Sequence, residues 1–383
     1  MADERPIVVI VDGSVAVTGA VVSAARQAEL LRDLVTTVLV LPRGHQVPAA
    51  RLTAFAEVID LRIVPLRKTA TSLLTYLPAL VVGTLRLRRE LHRLGASRLQ
   101  LNDFYLLHGV MLRLLGFRGR IVTWVRIDPR RYGKAGNFWL FAARRWSNSM
   151  VSVSKFIIAC LPAEVKTTLI YEPSQIRAAT EELRDPQAML FVGNYIFGKG
   201  QEEAIRAFHQ VADRFPAATL VFHGGDMGLE KNRAYLNGLR RQAAAGPGAE
   251  RITFGPFLPD LADARGRAGI ALNFSHSESF SLTCLEASAS GLPVIATRCG
   301  GPEEIVEHGV TGHLVPVGDV SAMAEAMKTL LVDPDRAARM GEAGRELVAE
   351  RFSPVVIRDA LVETLGLGAS HNRPEQLDQP RRL

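Results

Sequence analysis

Short apolar runs alternate with helix-length segments along nearly the whole chain, in two successive sets. Ile7–Val11, Thr37–Leu41, Val58–Ile63, Leu99–Leu101, Ile121–Val125 and Met150–Val153 read as the strands of the first set, with helical segments such as Val21–Leu34 between most of them. Met189–Val192, Thr219–His223, Ile252–Phe254, Ile270–Asn273 and Val294–Ala296 repeat the pattern. Helices are expected at Gln201–Ala212, Lys231–Ala243 and Thr283–Ser290, near Val320–Leu330, and at Asp335–Glu350. Strands that are apolar throughout are buried on both faces. Joined by helices, they form a doubly wound parallel sheet. With 383 residues the chain has room for two such units. The expected fold class is therefore α/β, with two Rossmann-like domains facing each other across a cleft.

The boundary is placed in Tyr171–Asp185, which is poor in apolar residues and contains Pro173. The expected division is a first domain over 1–175, a second over 186–352 and a final helix over 353–366. A polar tail over 367–383 is expected to be disordered. Open parallel sheets bind ligands beyond the carboxyl ends of their strands, so the ligand is expected between the domains.

Composition narrows the function. Apolar residues make up 48% and charged residues 22%, which excludes a mostly disordered chain. Cys160, Cys284 and Cys299 have no zinc-ligand or redox-motif spacing and read as small buried hydrophobes. The N-terminus lacks the pattern of a signal peptide, and the longest apolar stretch, Leu73–Leu87, is interrupted by Pro78 and Gly83. A cytoplasmic protein is the expectation. Residues 1–178 hold 25 basic and 12 acidic side chains, net +13, whereas the remainder is net −6. Arg86, Arg88 and Arg89 follow an apolar helical stretch, which suits the inner face of an anionic membrane. The arginines are scattered and no recognition motif accompanies them, so nucleic acid is not an expected partner.

The chemistry concentrates in Ser275–Glu286, followed by Ala-Ser-Ala-Ser-Gly291-Leu-Pro293-Val-Ile-Ala. Ser281 stands near the N-cap of a helix. The backbone N–H groups of Leu282 and Thr283 would point out of its N-terminus, where an anion binds readily. Glu278 and Glu286 flank that point and suit sugar hydroxyls. Such a combination fits a nucleotide sugar. The sequence Asp333-Pro-Asp335 reads as a helix N-cap, and no metal site is expected. His108 and His276 are candidates for the cleft.

Three motifs together resemble the retaining glycosyltransferases of family 4, the glycosyl transferases group 1, which have the GT-B fold. They are Glu278-x7-Glu286 with its continuation, Gly300-Gly-Pro-Glu-Glu304 through Gly312-x-Leu-Val, and Phe191-Val-Gly193-x5-Lys199-Gly200. The resemblance implies a metal-independent hexosyltransferase without a cofactor, of the kind found in polysaccharide biosynthesis. It would use a UDP-sugar or GDP-sugar donor and a glycan, lipid-linked or small hydroxylated acceptor. It implies that Lys199 neutralises the leaving diphosphate and that Glu278 contacts the transferred sugar. Glu286 would bind the ribose, and Ser281, Leu282, Thr283, Gly193 and Gly19 would lie about the donor. Asn194 stands where the family usually has an arginine; Arg298 is a candidate replacement. Arg126 and Asp128 stand where a sugar- or acceptor-contacting histidine is usual. Two other readings are a non-catalytic subunit that binds nucleotide sugar or glycan, and a nucleotide-sugar epimerase on the same fold.

Overall fold

The computed structural model of the chain describes residues 5–64, 70–174 and 184–368; residues 175–183 of the expected connection and 369–383 of the expected tail lie outside them. The first sheet contains β1 (Ile7–Val11), β2 (Thr36–Pro42), β3 (Glu57–Leu61), β4 (Arg98–Leu101), β5 (Arg120–Val125), β6 (Ser149–Ser152) and β7 (Thr168–Leu169). Their order is β3-β2-β1-β4-β5-β6-β7. The second sheet contains β8 (Ala188–Val192), β9 (Thr219–His223), β10 (Ile252–Gly255), β11 (Ile270–Asn273), β12 (Val294–Thr297) and β13 (Gly312–Val315), in the order β10-β9-β8-β11-β12-β13. Every pairing is parallel, from Ile7 beside Thr36 to Val294 beside Gly312. The expected α/β architecture is present in both halves.

Burial explains the strands. β1 is Ile-Val-Val-Ile-Val, and its last four residues are buried, so its β-branched side chains fill both faces of the sheet. Two strands have no such signal. β7 is two residues long, and β13 opens on Gly312, where a Cβ would lie 2.1 Å from the Val294 carbonyl oxygen. Close packing rather than apolar patterning sets that strand.

Strand order reverses at β1/β4 in the first sheet and at β8/β11 in the second. The loops leaving the carboxyl ends of these four strands define a crevice in each sheet. The two crevices open onto one shared cleft.

Two devices join the halves. The helix Pro354–Leu365 returns to the first sheet, where Arg98 and Arg120 donate to the carbonyls of Leu365, Gly366 and Thr364 at 3.1, 2.8 and 2.7 Å. Cations are thus placed at a helix C-terminus, where unpaired carbonyls favour them. On one side of the cleft, Tyr171, Phe280 and Phe352 form a ring cluster with centroids 4.9–5.6 Å apart. Glu304 strengthens that side. It accepts from the backbone N–H groups of Lys155 and Phe156 and from the Tyr171 hydroxyl, at 3.0, 2.8 and 2.8 Å.

His108 is a correction to the sequence reading. It is buried at the start of helix His108–Leu114 and does not line the cleft. A Cβ on Gly83 would lie 3.3 Å from its Nε2, and neither ring nitrogen has a partner. Burial disfavours the imidazolium and lowers its pKa to about 4. Between that value and the unfolded 6.5 the unfolded chain holds more protons, so this group's contribution to stability falls as the pH falls from about 6.5 to 4. The stability difference between the unaltered chain and His108→Leu should therefore shift by about 2 kcal/mol between pH 7 and 5. Urea melts at the two pH values read it directly. An unchanged difference would show a solvated ring.

Candidate functional site

The cleft encloses about 490 Å³ and is lined from both domains. Gly19, Arg126, Gly193, Asn194, Lys199, Glu278, Ser281, Leu282, Thr283 and Glu286 all reach its wall. Asp128 does not. The following proline starts a helical turn, and the Asp128 carboxylate caps it, accepting from Arg130 N at 3.0 Å and from the Arg130 guanidinium at 2.9 Å. His276 is bound to Glu203 at 2.9 Å, and Arg298 lies 3.5 Å from Glu303; neither lines the cleft.

Lys199 is placed by the loop after β8. The next residue, Gly200, is left-handed (φ +86) and caps helix Gln201–Val211. Lys199 Nζ lies 2.7 Å from Glu278 Oε1, which also accepts from Ser275 Oγ at 2.8 Å. Burial acts to lower the Lys199 pKa, but the charge and hydrogen bond of Glu278 outweigh it and the net shift is upward. Lys199 therefore keeps its proton.

Glu278 itself is pinned. Its N–H donates to Cys299 O and its carbonyl accepts from Gly301 N, at 3.2 and 2.8 Å. A Cβ on Gly301 would meet the Phe280 carbonyl oxygen at 1.9 Å. The paired glycines of the second motif thus let one loop lie against another.

Ser281 has φ +112, the left-handed side that non-glycine residues avoid. It is held there by its neighbours. Its Oγ accepts from Cys284 N at 3.3 Å, and buried Asn273 donates to Ser281 Oγ and Thr283 Oγ1, both at 2.9 Å. Backbone strain kept this way clusters at functional sites. The helix Leu282–Ala289 starts here, and the N–H groups of Leu282 and Thr283 make no hydrogen bond among the described residues. Across the cleft starts helix Gly19–Leu30, where a Cβ on Gly19 would lie 3.7 Å from Leu282 Cδ1. Two helix N-termini thus converge on one point, which favours anions.

Asn194 turns out to have a structural task. Its Oδ1 accepts from Gly225 N at 3.2 Å, fixing the turn after β9. Glu286 is held from both domains: Arg26 binds its Oε1, and Arg265 binds Oε2 at 2.8 Å. Arg26 is buried, and its Nε and Nη1 have no partner. Arg51 also crosses the cleft, donating to Pro259 O at 2.5 Å.

Sequence reasoning missed Arg26, Arg51, Asp103, Glu172 and Asn273, and named Glu304 only as part of a motif. Asp103 and Asn273 had a signal, since one lies two residues beyond an expected strand and the other ends one. Among the described residues no group of three His, Cys, Asp or Glu side chains could hold a metal ion, and no helix is long and apolar enough to cross a membrane.

Residues 174–347 match the family described as glycosyl transferases group 1. The GDP-mannose-dependent alpha-(1-6)-phosphatidylinositol monomannoside mannosyltransferase of Mycolicibacterium smegmatis is 32% identical over 247 residues, 59% of this chain and 61% of that protein. The D-inositol 3-phosphate glycosyltransferase of Mycolicibacterium paratuberculosis is 35% identical over 198 residues, 50% of this chain and 44% of that protein. The chain thus spans about three fifths or less of these curated relatives. The crystal structure of Anabaena HepE with UDP-glucose superposes with a TM-score of 0.79 at 21% identity, covering 94% of this chain and 99% of that one. That likeness is one of fold, and the fold is GT-B.

Proposed function

We propose that this chain, which carries a glycosyl transferases group 1 domain over residues 174–347, moves a hexose from a nucleoside diphosphate sugar to a hydroxyl of a glycan, lipid-linked or small-molecule acceptor. The reading takes residues 1–175 as the acceptor side and 186–352 as the donor side. One observation carries it. Lys199 with its Glu278 partner stands in the same cleft as the unpaired N–H groups that open helix Leu282–Ala289.

Each part has a task in this reading. Breaking the anomeric C–O bond gathers negative charge on the departing diphosphate. The two N–H groups and Lys199 stabilise that charge more than they stabilise the bound donor, which is the condition for catalysis. Glu278 turns Lys199 toward the phosphate and accepts from a hydroxyl of the sugar. Glu286 accepts from the ribose hydroxyls once Arg26 yields an oxygen to them. No side chain is assigned as a nucleophile. The departing phosphate oxygen takes the proton of the attacking hydroxyl on the same face, and the anomeric configuration is retained.

The expected result is that UDP or GDP raises the melting temperature and that one sugar nucleotide disappears from a mixed pool read by mass spectrometry. NMR of the product should show the donor's anomeric configuration, and EDTA should leave the rate unchanged. No stabilisation by any nucleoside diphosphate would sink the reading.

The same reading places the first domain on an anionic membrane. Support comes from helices Ala70–Arg93 and Lys134–Trp146, which both contact helix His108–Leu114. Val81, Val82, Leu85, Phe138 and Phe141 are exposed on them. Arg86, Arg88, Arg89, Lys134 and Arg144 stand among these residues with no ion pair among the described residues. Apolar and basic groups mixed on one face suit such a surface. Vesicles containing phosphatidylglycerol should bind the chain, and Phe138→Ser with Phe141→Ser should weaken binding several-fold. Equal binding to neutral vesicles would refute the placement.

A further inference from the structure

We propose that Asp103 reads the attacking hydroxyl of the acceptor, in a subsite on the first-domain wall completed by Arg126 and Glu172. The proposal rests on the transferase reading above and adds to it the chemical class of the acceptor, a neutral sugar or polyol end.

Asp103 lies at the carboxyl end of β4, at the reversal of strand order in the first sheet. It lines the cleft yet is 4% exposed. Its Oδ1 is occupied, accepting from Phe104 N at 2.9 Å and Arg126 N at 3.4 Å. Its Oδ2 makes no hydrogen bond among the described residues. A carboxylate oxygen held in a ligand cleft with no partner is open to a donor from the ligand.

The neighbouring pair adds a second, independent observation. Arg126 Nε donates to Asn102 Oδ1 at 3.0 Å, and Nη1 binds Glu172 Oε1 at 2.5 Å. Arg126 Nη2 and Glu172 Oε2 are both buried with no hydrogen-bond partner among the described residues. Both residues line the cleft, and their side chains are 7% and 4% exposed. One atom can only donate and the other can only accept. A hydroxyl does both, so a ligand bearing neighbouring hydroxyls satisfies the pair and Asp103 together. A phosphate or carboxylate does not. It would satisfy Arg126 but face Glu172, Asp103 and Asp12, and Glu172 already neutralises the arginine.

The groups facing Asp103 are Asp12 from the end of β1, Arg126 from the end of β5, and Tyr105 and Tyr132. Burial, aided by the Asp12 charge, raises the Asp103 carboxyl to about 7. Near neutral pH it exists in both forms, and only the ionised form keeps Oδ2 as an acceptor that bears no proton of its own. At this subsite Glu172 neutralises Arg126, so the net charge of the first domain does not describe the acceptor.

The test compares Asp103→Asn and Glu172→Gln with the unaltered chain, using UDP-glucose and GDP-mannose as donors. Methyl mannoside and methyl glucoside serve as neutral acceptors and mannose 6-phosphate as the anionic one. Slow hydrolysis of the donor by water reports the donor side alone. Asp103→Asn should keep nucleotide binding and hydrolysis within about threefold. It should lose transfer to the neutral acceptors by at least 100-fold, together with the rise of the transfer rate through pH 7. Its melting temperature at pH 8 should increase, because a buried charge is gone. Glu172→Gln should raise the acceptor KM several-fold. Unchanged transfer kinetics would overturn the assignment, as would hydrolysis and transfer falling together, or a preference for the phosphorylated acceptor. So would an unaltered enzyme that hydrolyses the donor but uses none of the neutral acceptors. An unaltered chain that consumes no sugar nucleotide at all would instead remove the transferase reading, and this assignment with it.

Discussion

Lys199→Ala is expected to slow sugar transfer by roughly 10²–10³-fold, the usual loss when a preorganised charge-stabilising group is removed from a cleft. Lys199 is the cation beside the unpaired helix N–H groups, and Asn194 supplies none. The resemblance implies an arginine at position 194, where this chain has asparagine, so on the transferase reading Lys199 acts without it. Because the charge on the phosphate grows only as the bond breaks, kcat should fall much more than donor affinity. Lys199→Arg tests the geometry separately. It keeps the charge but replaces a compact ammonium by a planar fork, so it should recover only part of the rate. Steady-state kinetics on the donor found in the mixed-pool experiment would settle the matter. A kcat within threefold of the unaltered chain would remove Lys199 from the chemistry.

Gly200→Ala should be strongly destabilising, because one methyl meets both a backbone clash and a left-handed φ. Gly200 is left-handed at φ +86, and a Cβ there would lie 2.1 Å from the Phe274 carbonyl oxygen and 2.3 Å from its carbon. Neither atom is the end of a flexible side chain; both are backbone just beyond β11. Left-handed strain and overpacking together should destabilise the fold by about 3 kcal/mol. For a domain of this size that is a fall of roughly 6–12 °C in Tm. The displaced loop carries Lys199, so the nucleotide-induced rise in Tm should shrink as well. Gly309→Ala is the control. It also has positive φ, +81, but no atom lies within 4 Å of its would-be Cβ. It should lose stability only through backbone strain. Equal losses in the two variants would show that the contact with Phe274 is relieved elsewhere.

The strands were legible because parallel sheets bury both faces, and runs such as Ile7–Val11 have no other reading. The second-half wall of the cleft was legible because its parts are close in sequence: Ser275 through Glu286 is one loop and one helix start. The partners of those residues were not legible. Arg26 lies inside a helix 260 positions from Glu286, and nothing local marks it as crossing a cleft. Glu304 sits in a recognised motif, but its partners, Tyr171 and the backbone of Lys155 and Phe156, belong to the other half of the chain. Summed charge did not show where the charges stand. A half that is net +13 places Asp103 and Glu172 on its ligand wall beside Arg51 and Arg126, and sets other arginines on outer helices. Asp128 was singled out because it stands where the resembled family usually has a histidine, although the Asp-Pro pair was itself a sign of a cap.

The two rims of the cleft are built from different materials. One is stacked rings, Tyr171, Phe280 and Phe352, fastened by Glu304. The other is a seam of single contacts, Arg26 to Glu286 and Arg51 to Pro259, which water or a ligand can replace one for one. Any parting of the halves therefore begins at the seam and pivots on the rings. Displacement is then graded by distance from the pivot, as in a page turning on its binding. Glu278, two residues from Phe280, moves least, and Glu286 loses its opposite neighbour first. The part of the cleft around Lys199 and Glu278 then stays still while the part around Glu286 opens.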